Sequence, residues 1–305
     1  MKVVIIGGAG GIGSSAAFNL LSAAGTYEVV LVDTRPHMIT SHTMDLENAA
    51  ALGRNATTVR GGTAEDAIDA DVVVLSAAVP LRLNSSRLVF LADNARIVDE
   101  VLAPLAGSGF AGVVLMLTNP VDPLITHVHR QGWLPRHRLV GYTLNDSLRL
   151  RTGIGQALDR HPRDVGAWML GEHGVGQVPL YSRVTVGGQP VTLTAGQRTA
   201  AQTYADTWYQ RHVALDSGRT STWTTGLGTA RMVEAMATES GTLLPASVVL
   251  DGEYGIAGVS LSVPVVLGRK GVARIEEWDL TADERVGMNS AAARVEQTVA
   301  ELHQA

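Results

Sequence analysis

One histidine stands out among the nine in the chain as a candidate for proton transfer. His173 lies in LGEHGVGQVPL, after an apolar run that predicts a strand and between glycines that predict a loop. A histidine in that setting is expected at the mouth of a site, where its imidazole can act as general acid or base. The remaining histidines are predicted to lie on the surface, within helices or at helix ends: His37, His42, His127, His129, His137, His161, His212 and His303.

A carboxylate and an arginine in NDSLRLR are the candidate partners of this histidine. A histidine that moves protons benefits from a buried carboxylate, which fixes its tautomer and stabilises the imidazolium, and Asp146 is suited to that role. Arg149 follows three residues later, so both side chains are expected on one side of a helix. Two interpretations are open at this point: a catalytic cluster with His173, or an intrahelical ion pair.

Polar residues also follow the predicted strands, at the edge where open α/β sheets bind ligands. Arg82 and Arg87 occur in a polar stretch after VVVL, where they could hold a carboxylate or polarise a carbonyl, or be solvated loop charges. Asn119 ends the next strand, where it could hydrogen-bond a substrate oxygen or shape the turn before Pro120.

The elements that must position these side chains begin with a glycine-rich turn. Residues 1–33 predict the order strand, tight turn, helix and strand, with glycines spaced as G-x-x-G-x-x-G. This spacing is a variant of the dinucleotide fingerprint, in which glycines permit a tight turn, close approach to a pyrophosphate and close helix packing. The helix N-terminus favours a bound phosphate. The predicted cofactor-binding turn comprises Gly7, Gly10, Gly11, Ile12 and Gly13.

An acid at the end of the second strand indicates which nucleotide is bound. Asp33 lies 20 residues after Gly13, where a carboxylate can accept hydrogen bonds from an adenosine ribose. A 2′-phosphate would meet a like charge there, so the sequence predicts NAD. Arg35 leaves some tolerance of NADP open, because a nearby arginine can accommodate that phosphate.

Strand and helix patterns alternate through the first half of the chain. Continuous Val/Leu runs such as residues 72–75 are typical of strands buried on both faces of a parallel sheet, and helical patterns at 40–52 and 88–106 separate them. Past residue 145 the pattern becomes mixed, with short strand-like pieces, among them LYSRVTV. The prediction is an α/β fold: a Rossmann-type doubly wound parallel sheet that binds NAD (1–144), followed by a mixed α+β substrate and catalytic domain (145–305).

The amino-acid composition excludes several classes of binding partner and of site. A chain of 305 residues, 46% hydrophobic and 17% charged, is expected to fold around a substantial core. A formal charge of −5 without a basic block argues against nucleic acid and anionic membranes as partners. The lack of cysteine excludes disulfides, thiolate nucleophiles and cysteine-based metal sites, and no metal is expected. The N-terminus has neither a signal-peptide nor a spanning-helix pattern, so a cytoplasmic protein is predicted.

Taken together, the motifs resemble those of the L-lactate/malate dehydrogenase family along nearly the whole chain. The matching pieces are GGAGGIG, TNPVD, NDSLRLR, LGEHG with VPLYS, STWTTGLG and LDGEYGIAGVSLSVPVVLGRKGV. The resemblance implies reversible hydride transfer between NAD and a small L-2-hydroxy acid. The resemblance also implies a role for each candidate. His173 would be the proton donor and acceptor, Asp146 its orienting carboxylate, and Arg149 the fork that binds the substrate carboxylate. Arg87 would polarise the reacting carbonyl, Asn119 would lie beside the substrate oxygen and the cofactor, Ser221 would line the substrate pocket and Thr225 would face the nicotinamide.

The chain departs from the family where substrates are selected. The family discriminates with the residue six before the carbonyl-polarising arginine, arginine for malate and glutamine for lactate, and this chain has Leu81 there with Arg82 beside it. A loop shifted by one residue would let Arg82 bind a second carboxylate, whereas an unshifted loop would let Leu81 favour an apolar side chain. Malate and oxaloacetate are the first choice, because the glycine turn resembles the malate branch and two arginines remain in the loop. L-lactate or an apolar 2-hydroxy acid is the alternative. A second departure is Val175-Gly176, where relatives often carry a polar or acidic pair.

Two other classes of function are weighed against this one. Some NAD- and metal-requiring glycosidases resemble the fold, but their metal site uses a cysteine, which this chain lacks. A non-catalytic NAD-binding protein would need neither the histidine, the aspartate nor the two arginines. The segment HTMDLENAA is similar to a helix that packs between subunits in relatives, so a homodimer or homotetramer is expected.

Overall fold

A parallel sheet forms the first half of the protein. A computed structural model describes residues 1–79 and 87–304, and the side chains of residues 87 and 88 lie outside that description. The strands are β1 (Lys2–Ile6), β2 (Glu28–Val32), β3 (Thr58–Gly61), β4 (Val72–Leu75), β5 (Val113–Met116) and β6 (Leu139–Tyr142). They pair in parallel, side by side in the order β3-β2-β1-β4-β5-β6.

Helices cover both faces of this sheet. They are α1 (Gly11–Leu20), α2 (Pro36–Ala50), α3 (Arg87–Gly107) and α4 (Val121–Arg130). Every residue of β4 and β5 is buried, which is why both strands are continuous runs of Val, Leu and Met. The strand order reverses direction between β1 and β4, and ligands of such sheets bind outside the carboxyl ends at that point. The predicted Rossmann-type doubly wound sheet is confirmed.

The second half continues the same sheet with antiparallel strands. Its elements are α5 (Leu144–Leu158), β7 (Val165–Gly166), β8 (Met169–Gly171), β9 (Gln177–Pro179), β10 (Thr185–Val186), β11 (Gln189–Pro190), α6 (Ala195–Val213), α7 (Thr222–Thr238), β12 (Leu243–Asp251), β13 (Ala257–Gly268), β14 (Gly271–Ile275) and α8 (Ala282–Leu302). Strand β12 pairs with β6 and β13, and β13 pairs with β8 and β14. Strands β11, β10 and β7 form a separate small sheet. Among the helices of the described residues, none has the length and apolar composition needed to span a bilayer.

Close packing of α7 against α1 joins the two halves next to the glycine turn. A Cβ on Gly226 of α7 would lie 2.2 Å from the Ser15 hydroxyl of α1, and one on Gly228 would lie 2.2 Å from the Tyr142 hydroxyl. Only glycine leaves room for these approaches. The first turns of α1 and α7 are therefore neighbours, and Gly11 lies against Thr222.

Two elements differ from the sequence-based expectation. Helix α2 begins at Pro36 rather than Thr40, because proline is well suited to the first helical position, where its missing N–H has no partner to lose. The piece LYSRVTV is a strand only at Thr185–Val186. Ser182, within the short 3-10 turn before that strand, donates its backbone N–H and hydroxyl to the Glu284 carboxylate, which replaces strand pairing there.

Candidate active site

The glycine turn after β1 has no space for side chains. Gly7 has a φ of +89°, and a Cβ there would lie 2.7 Å from the backbone nitrogen of Ala77. A Cβ on Gly13 would lie 2.5 Å from the carbonyl oxygen of Gly7. Helix α1 begins at Gly11 with Gly10 as an N-cap that supplies no side-chain hydrogen bond, so the N-terminal N–H groups face outward without a side-chain cap. This cradle fits the pyrophosphate of a dinucleotide.

Asp33 connects the end of β2 to this turn. One carboxylate oxygen accepts the backbone N–H of Ala9 at 3.1 Å, and Arg35 donates its Nε at 3.0 Å and its Nη2 at 3.3 Å. Burial favours the neutral acid, but these hydrogen bonds prevail and lower the pKa of Asp33, which stays ionised. The Asp33 side chain is only 7% exposed, whereas that of Arg35 is 56% exposed. The ionised carboxylate at the end of β2 is an acceptor suited to a ribose hydroxyl.

His173, whose side chain is 19% exposed, and the buried Asp146 form an acid/base pair. Asp146 lies in the first turn of α5, and His173 lies in the loop between β8 and β9. His173 Nδ1 is 2.5 Å from Asp146 Oδ2. Burial lowers the pKa of His173, but the charge and hydrogen bond of Asp146 outweigh it, so the net pKa is above its ordinary value. Because Asp146 engages Nδ1, Nε2 is the nitrogen left to exchange a proton with a ligand.

Arg149 completes the cluster from the next turn of α5. Its Nη1 is 3.5 Å from Asp146 Oδ1, and its Nη2 donates to the Ser221 hydroxyl at 3.2 Å. The Trp208 ring of α6 stacks on the guanidinium, with 4.2 Å between Arg149 Cζ and the ring centroid. Burial lowers the pKa of Arg149, but an arginine remains a cation at any physiological pH. A partly buried cation with donors in a fixed fork is suited to bind a carboxylate.

Asn119 is held at the carboxyl edge of the sheet by a buried amide from α3. The backbone carbonyl of Asn119 accepts a hydrogen bond from Asn94 Nδ2 at 2.8 Å, and Asn94 Oδ1 accepts the backbone N–H of Val79 at 2.9 Å. The loops after β4 and β5 are thus tied together at the switch point. Arg87 is the first residue of α3, so the helix starts at this edge. Leu81 and Arg82 lie outside the described residues.

The N-terminus of α7 adds two of the predicted residues. Ser221 is the N-cap of α7, where it meets Arg149. Thr225 is buried one turn later, and its hydroxyl accepts the Asn145 Nδ2 at 2.9 Å. Asn145 in turn accepts the Tyr142 hydroxyl at 2.8 Å, so the start of α5 fixes the start of α7.

Two family models match the chain. One describes the NAD-binding domain of lactate/malate dehydrogenase and matches residues 1–141; the other describes the alpha/beta C-terminal domain of the same enzymes and matches residues 143–304. The chain belongs to the lactate/malate dehydrogenase family. Members of this family are NAD-dependent 2-hydroxy-acid dehydrogenases, which confirms the predicted family, enzyme class and cofactor.

Relatives of both kinds align along nearly the whole chain. The malate dehydrogenase of Halobacterium salinarum is 37% identical over 297 residues, which is 96% of this chain and 97% of that protein. The L-lactate dehydrogenase 2 of Bacillus cereus is 31% identical over 305 residues, covering 97% of each chain. Among solved structures, the malate dehydrogenase from Salinibacter ruber aligns with a TM-score of 0.87 at 28% identity, over 100% of this chain and 98% of that one. The minor L-lactate dehydrogenase from Enterococcus mundtii aligns with a TM-score of 0.89 at 29% identity, over 98% and 97%.

The fold brings together the candidates from the second half and corrects one histidine. His173, Asp146, Arg149 and Ser221 form one connected cluster. His127 lies in the last turn of α4, as predicted for a histidine at a helix end, but its side chain is buried rather than on the surface. It contacts Asp99 and His303, because α3 and α8 pack on either side of that helix. Its HVH pattern gave no hint of those neighbours, which come from distant parts of the chain.

The structure of the loop around His173 accounts for Val175 and Gly176, at the positions where relatives often carry a polar or acidic pair. Val175 is 71% exposed, so its apolar side chain lies in solvent at the loop tip. A Cβ on Gly176 would lie 2.6 Å from a carboxylate oxygen of Glu172, which is itself buried and paired with Arg294. The loop therefore has no room for a side chain at position 176. Within residues 1–79 and 87–304, no group of three or more His, Cys, Asp or Glu side chains is placed to hold a metal.

Three buried polar residues of the site were not singled out from the sequence. Asn94 and Asn145 have no motif of their own, although Asn145 stands inside NDSLRLR. Asp122 is the acid of TNPVD, and its place three residues after Asn119 in that motif is the signal that could have drawn attention to it. All three act by bridging elements, which a one-dimensional pattern does not reveal.

Proposed function

We propose that this family member oxidises a small L-2-hydroxy acid with NAD, with malate and oxaloacetate as the first-choice pair. The observation that carries this proposal is the cluster of His173, Asp146 and Arg149. It combines a histidine whose pKa is raised, a carboxylate that fixes its tautomer, and a guanidinium placed to hold a carboxylate. A protein that merely stores NAD has no use for that combination.

In the proposed reaction His173 moves the proton. When a hydroxy acid is oxidised, His173 Nε2 accepts the hydroxyl proton, and Asp146 stabilises the imidazolium that forms through the bond at Nδ1. In the reverse direction the imidazolium returns the proton to the carbonyl oxygen. The chemistry that NAD supplies when bound is the acceptance or donation of a hydride. The raised pKa of His173 favours the imidazolium, which is the form that reduction of the oxo acid requires.

Arg149 binds the carboxylate of the substrate in this proposal. Ser221 and Asp146 hold two of its nitrogens, and Trp208 covers one face, so the guanidinium has a restricted orientation. A planar fork in a fixed orientation can donate two parallel hydrogen bonds to a carboxylate, which a lysine cannot do. Arg87 would polarise the reacting carbonyl, and Asn119 would hydrogen-bond the same oxygen.

The cofactor would lie across the carboxyl edge of the sheet. Gly7, Gly10, Gly11, Ile12 and Gly13 would surround the pyrophosphate, since their turn leaves N–H groups without side-chain caps. Asp33 would bind the adenosine ribose, and the residues that would meet the nicotinamide end are Asn119 and Thr225. The pairing of Arg35 with Asp33 supports NAD over NADP, because that guanidinium is already engaged by the carboxylate.

The choice between malate and an apolar substrate depends on the loop that carries Leu81 and Arg82. The malate dehydrogenase relative is more similar to this chain, at 37% identity, than the L-lactate dehydrogenase relative, at 31%. That difference supports malate. The alternative is an L-lactate or apolar 2-hydroxy-acid dehydrogenase, which Leu81 would favour if the loop is not shifted.

A substrate panel tests the proposal. NADH oxidation is measured with oxaloacetate, pyruvate and a branched 2-oxo acid, and each reaction is repeated with NADPH. The expected result is the highest kcat/KM with oxaloacetate and NADH. Turnover of the branched acid alone would overturn the malate assignment and retain the mechanism. Tight NADH binding without turnover of any of the three acids would instead favour the non-catalytic alternative.

We also propose the division into an NAD-binding part (1–144) and a substrate and catalytic part (145–305), and an assembly of two or four copies. The family models meet near the proposed boundary, at residues 141 and 143. Met38 and Met44 of α2 are 41% and 63% exposed, which supports an apolar contact between copies on that helix. Light scattering on the purified protein would distinguish monomer, dimer and tetramer. The cytoplasmic location stays a prediction from the sequence.

A further inference from the structure

A second carboxylate lies against the backbone of His173. Asp122 is in the first turn of α4 and is fully buried. Its Oδ2 accepts the backbone N–H of His173 at 2.6 Å, and its Oδ1 accepts the Ser247 hydroxyl of β12. Burying a carboxylate costs free energy unless hydrogen bonds compensate, so a carboxylate without solvent contact indicates a structural or functional role. This one joins the α4 helix to the loop that carries the acid/base histidine.

Ser247 is the hydroxyl that contacts that carboxylate, and hydroxyls from two further elements continue the hydrogen-bond network. The Ser247 hydroxyl lies 2.6 Å from that of Ser260 in β13. The backbone N–H of Ser260 donates to Thr126 Oγ1 at 2.9 Å, and the Thr126 hydroxyl donates to the Asp122 carbonyl at 2.8 Å. These hydrogen bonds connect α4 to β12 through Ser247, β12 to β13 through Ser260, and β13 back to α4 through Thr126. Asp122 can therefore hold the β8–β9 loop in a fixed place relative to the sheet.

The charges around His173 come from several elements. Helix α5 contributes Asp146 and Arg149, and α4 contributes Asp122. In the histidine's own loop the neighbouring Glu172 is paired with Arg294 of α8. Both aspartates raise the pKa of the imidazole, whereas burial and Arg149 lower it.

Asp122 is itself sensitive to pH near neutrality. Burial raises its pKa to about 7, and the Ser247 hydroxyl, the charge of His173 and the backbone N–H of His173 limit that rise. A proton on His173 stabilises the Asp122 carboxylate, and an ionised Asp122 stabilises the imidazolium. The two groups are therefore expected to titrate as a coupled pair.

We propose that Asp122 is a positioning residue for the acid/base histidine: it fixes the His173 backbone through the N–H and, when ionised, favours the imidazolium. The proposal rests on the proposed role of His173 in proton transfer. It adds a second aspartate that hydrogen-bonds the backbone of His173, whereas Asp146 contacts the ring. Asp122 also lies three residues after Asn119, which precedes α4. The start of α4 is therefore connected both to the loop proposed to lie beside the substrate oxygen and to the backbone of His173.

Asp122→Asn separates the charge from the hydrogen bonds. An asparagine can accept the His173 N–H with its carbonyl, and its amide can donate to Ser247, whose hydroxyl can then turn toward Ser260. The matched control is Thr126→Val, which disturbs the same network and keeps the carboxylate. Asp122→Ala removes both the charge and the acceptor.

The experiment measures the pKa of His173 by NMR in the full-length protein with labelled histidine, where His173→Gln identifies the signal. The expected result is a lower pKa in Asp122→Asn, with a simpler single-site titration curve, and an unchanged pKa in Thr126→Val. In the pH profile of kcat/KM for the oxo acid, the alkaline limb should move to lower pH in Asp122→Asn. In Asp122→Ala, kcat should fall by about tenfold to hundredfold, because the loop loses its anchor, while NADH affinity is kept.

Two results would overturn the proposal. One is a His173 pKa that is the same in Asp122→Asn as in the unsubstituted protein. The other is an equal change in Thr126→Val, which would make the effect one of packing. The NMR titration needs no turnover, so it remains decisive if no substrate of the panel reacts. Failure of the proposed function would appear in the panel and not in this titration.

Discussion

The glycine turn and the histidine cluster are built in opposite ways. The turn and its acid occupy residues 7–33, and the turn works through backbone groups and through the absence of side chains at Gly7 and Gly13. The cluster works through charged side chains that come from separate elements. His173 lies 27 residues from Asp146 and 51 residues from Asp122, and it meets both at hydrogen-bond distance.

This difference determines which kind of substitution impairs the function of each region. The turn is sensitive to added atoms, because a methyl group at Gly13 would lie 2.5 Å from a carbonyl oxygen. The cluster is sensitive to removed atoms, because each charge in it depends on a partner from another element. A substitution in one region should therefore leave the other region's function measurable, and the following variants test that independence.

The largest effect is expected from His173→Asn. Loss of the group that moves the proton should lower kcat by about 10²- to 10⁴-fold, the usual contribution of a general acid or base. The Kd for NADH, measured by fluorescence, should not change, because the turn is intact. Normal turnover would contradict the role of His173, and weakened NADH binding would show that the two regions are not independent.

Arg149→Lys should have the next largest effect, and mainly on KM. A lysine keeps the charge but loses the fork, and hydrogen bonds to charged groups contribute about 1.5–3 kcal/mol. Steady-state kinetics with the oxo acid measure this loss. Arg151→Lys is the matched control, since Arg151 lies on the same helix and donates its Nε to the Ala167 carbonyl instead. Equal KM values for the two variants would argue against the fork.

Gly13→Ala tests the other region. The added methyl group should weaken NADH binding and lower the free energy of unfolding by about 1–3 kcal/mol, the usual range for overpacking. Fluorescence titration and urea unfolding measure the two effects. Gly196→Ala in α6, where a Cβ has open space, is the control: it should leave NADH binding unchanged and should not lower the free energy of unfolding, because alanine favours a helix over glycine. The His173 pKa should stay the same, and a shift in it would break the distinction between the regions.

The smallest effect is expected from Trp208→Leu. The stacked ring is 4.2 Å from Arg149 Cζ, and a partly buried cation–π contact contributes about 0.5–2 kcal/mol. Its loss should raise KM for the oxo acid and leave kcat nearly constant, because the guanidinium keeps its other contacts. Trp208→Phe should be intermediate. An unchanged KM in both variants would mean that Ser221 and Asp146 orient Arg149 without the ring.

Much of the fold could be predicted because its rules are local. A run such as Val72–Leu75 is buried on both faces, and the sequence of four apolar residues already predicts that. Helix α3, predicted over residues 88–106, spans Arg87–Gly107. Helix α2 begins four residues before the predicted Thr40, because Pro36 is suited to the first helical position.

The candidate site could be predicted only in part. Motif residues such as His173 and Asp146 carry chemistry that their types reveal. Residues that bridge elements carry no such sign: Asn94 joins two loops, and His127 became buried because α3 and α8 pack against α4. Their importance depends on which distant segments become neighbours, and no spacing along the chain encodes that.

The sequence by itself determined the glycine turn, the Asp33 strand end and the apolar runs of the sheet. The Cβ that Gly13 lacks would meet Gly7 and Gly8, a few residues away, and each apolar run is contiguous in the chain, so local spacing predicts both features. The tertiary structure alone decided that two aspartates, from α4 and α5, meet one histidine, one at its backbone N–H and one at its ring. The physical reason is that strand order and helix packing set those distances, and both are properties of the assembled sheet.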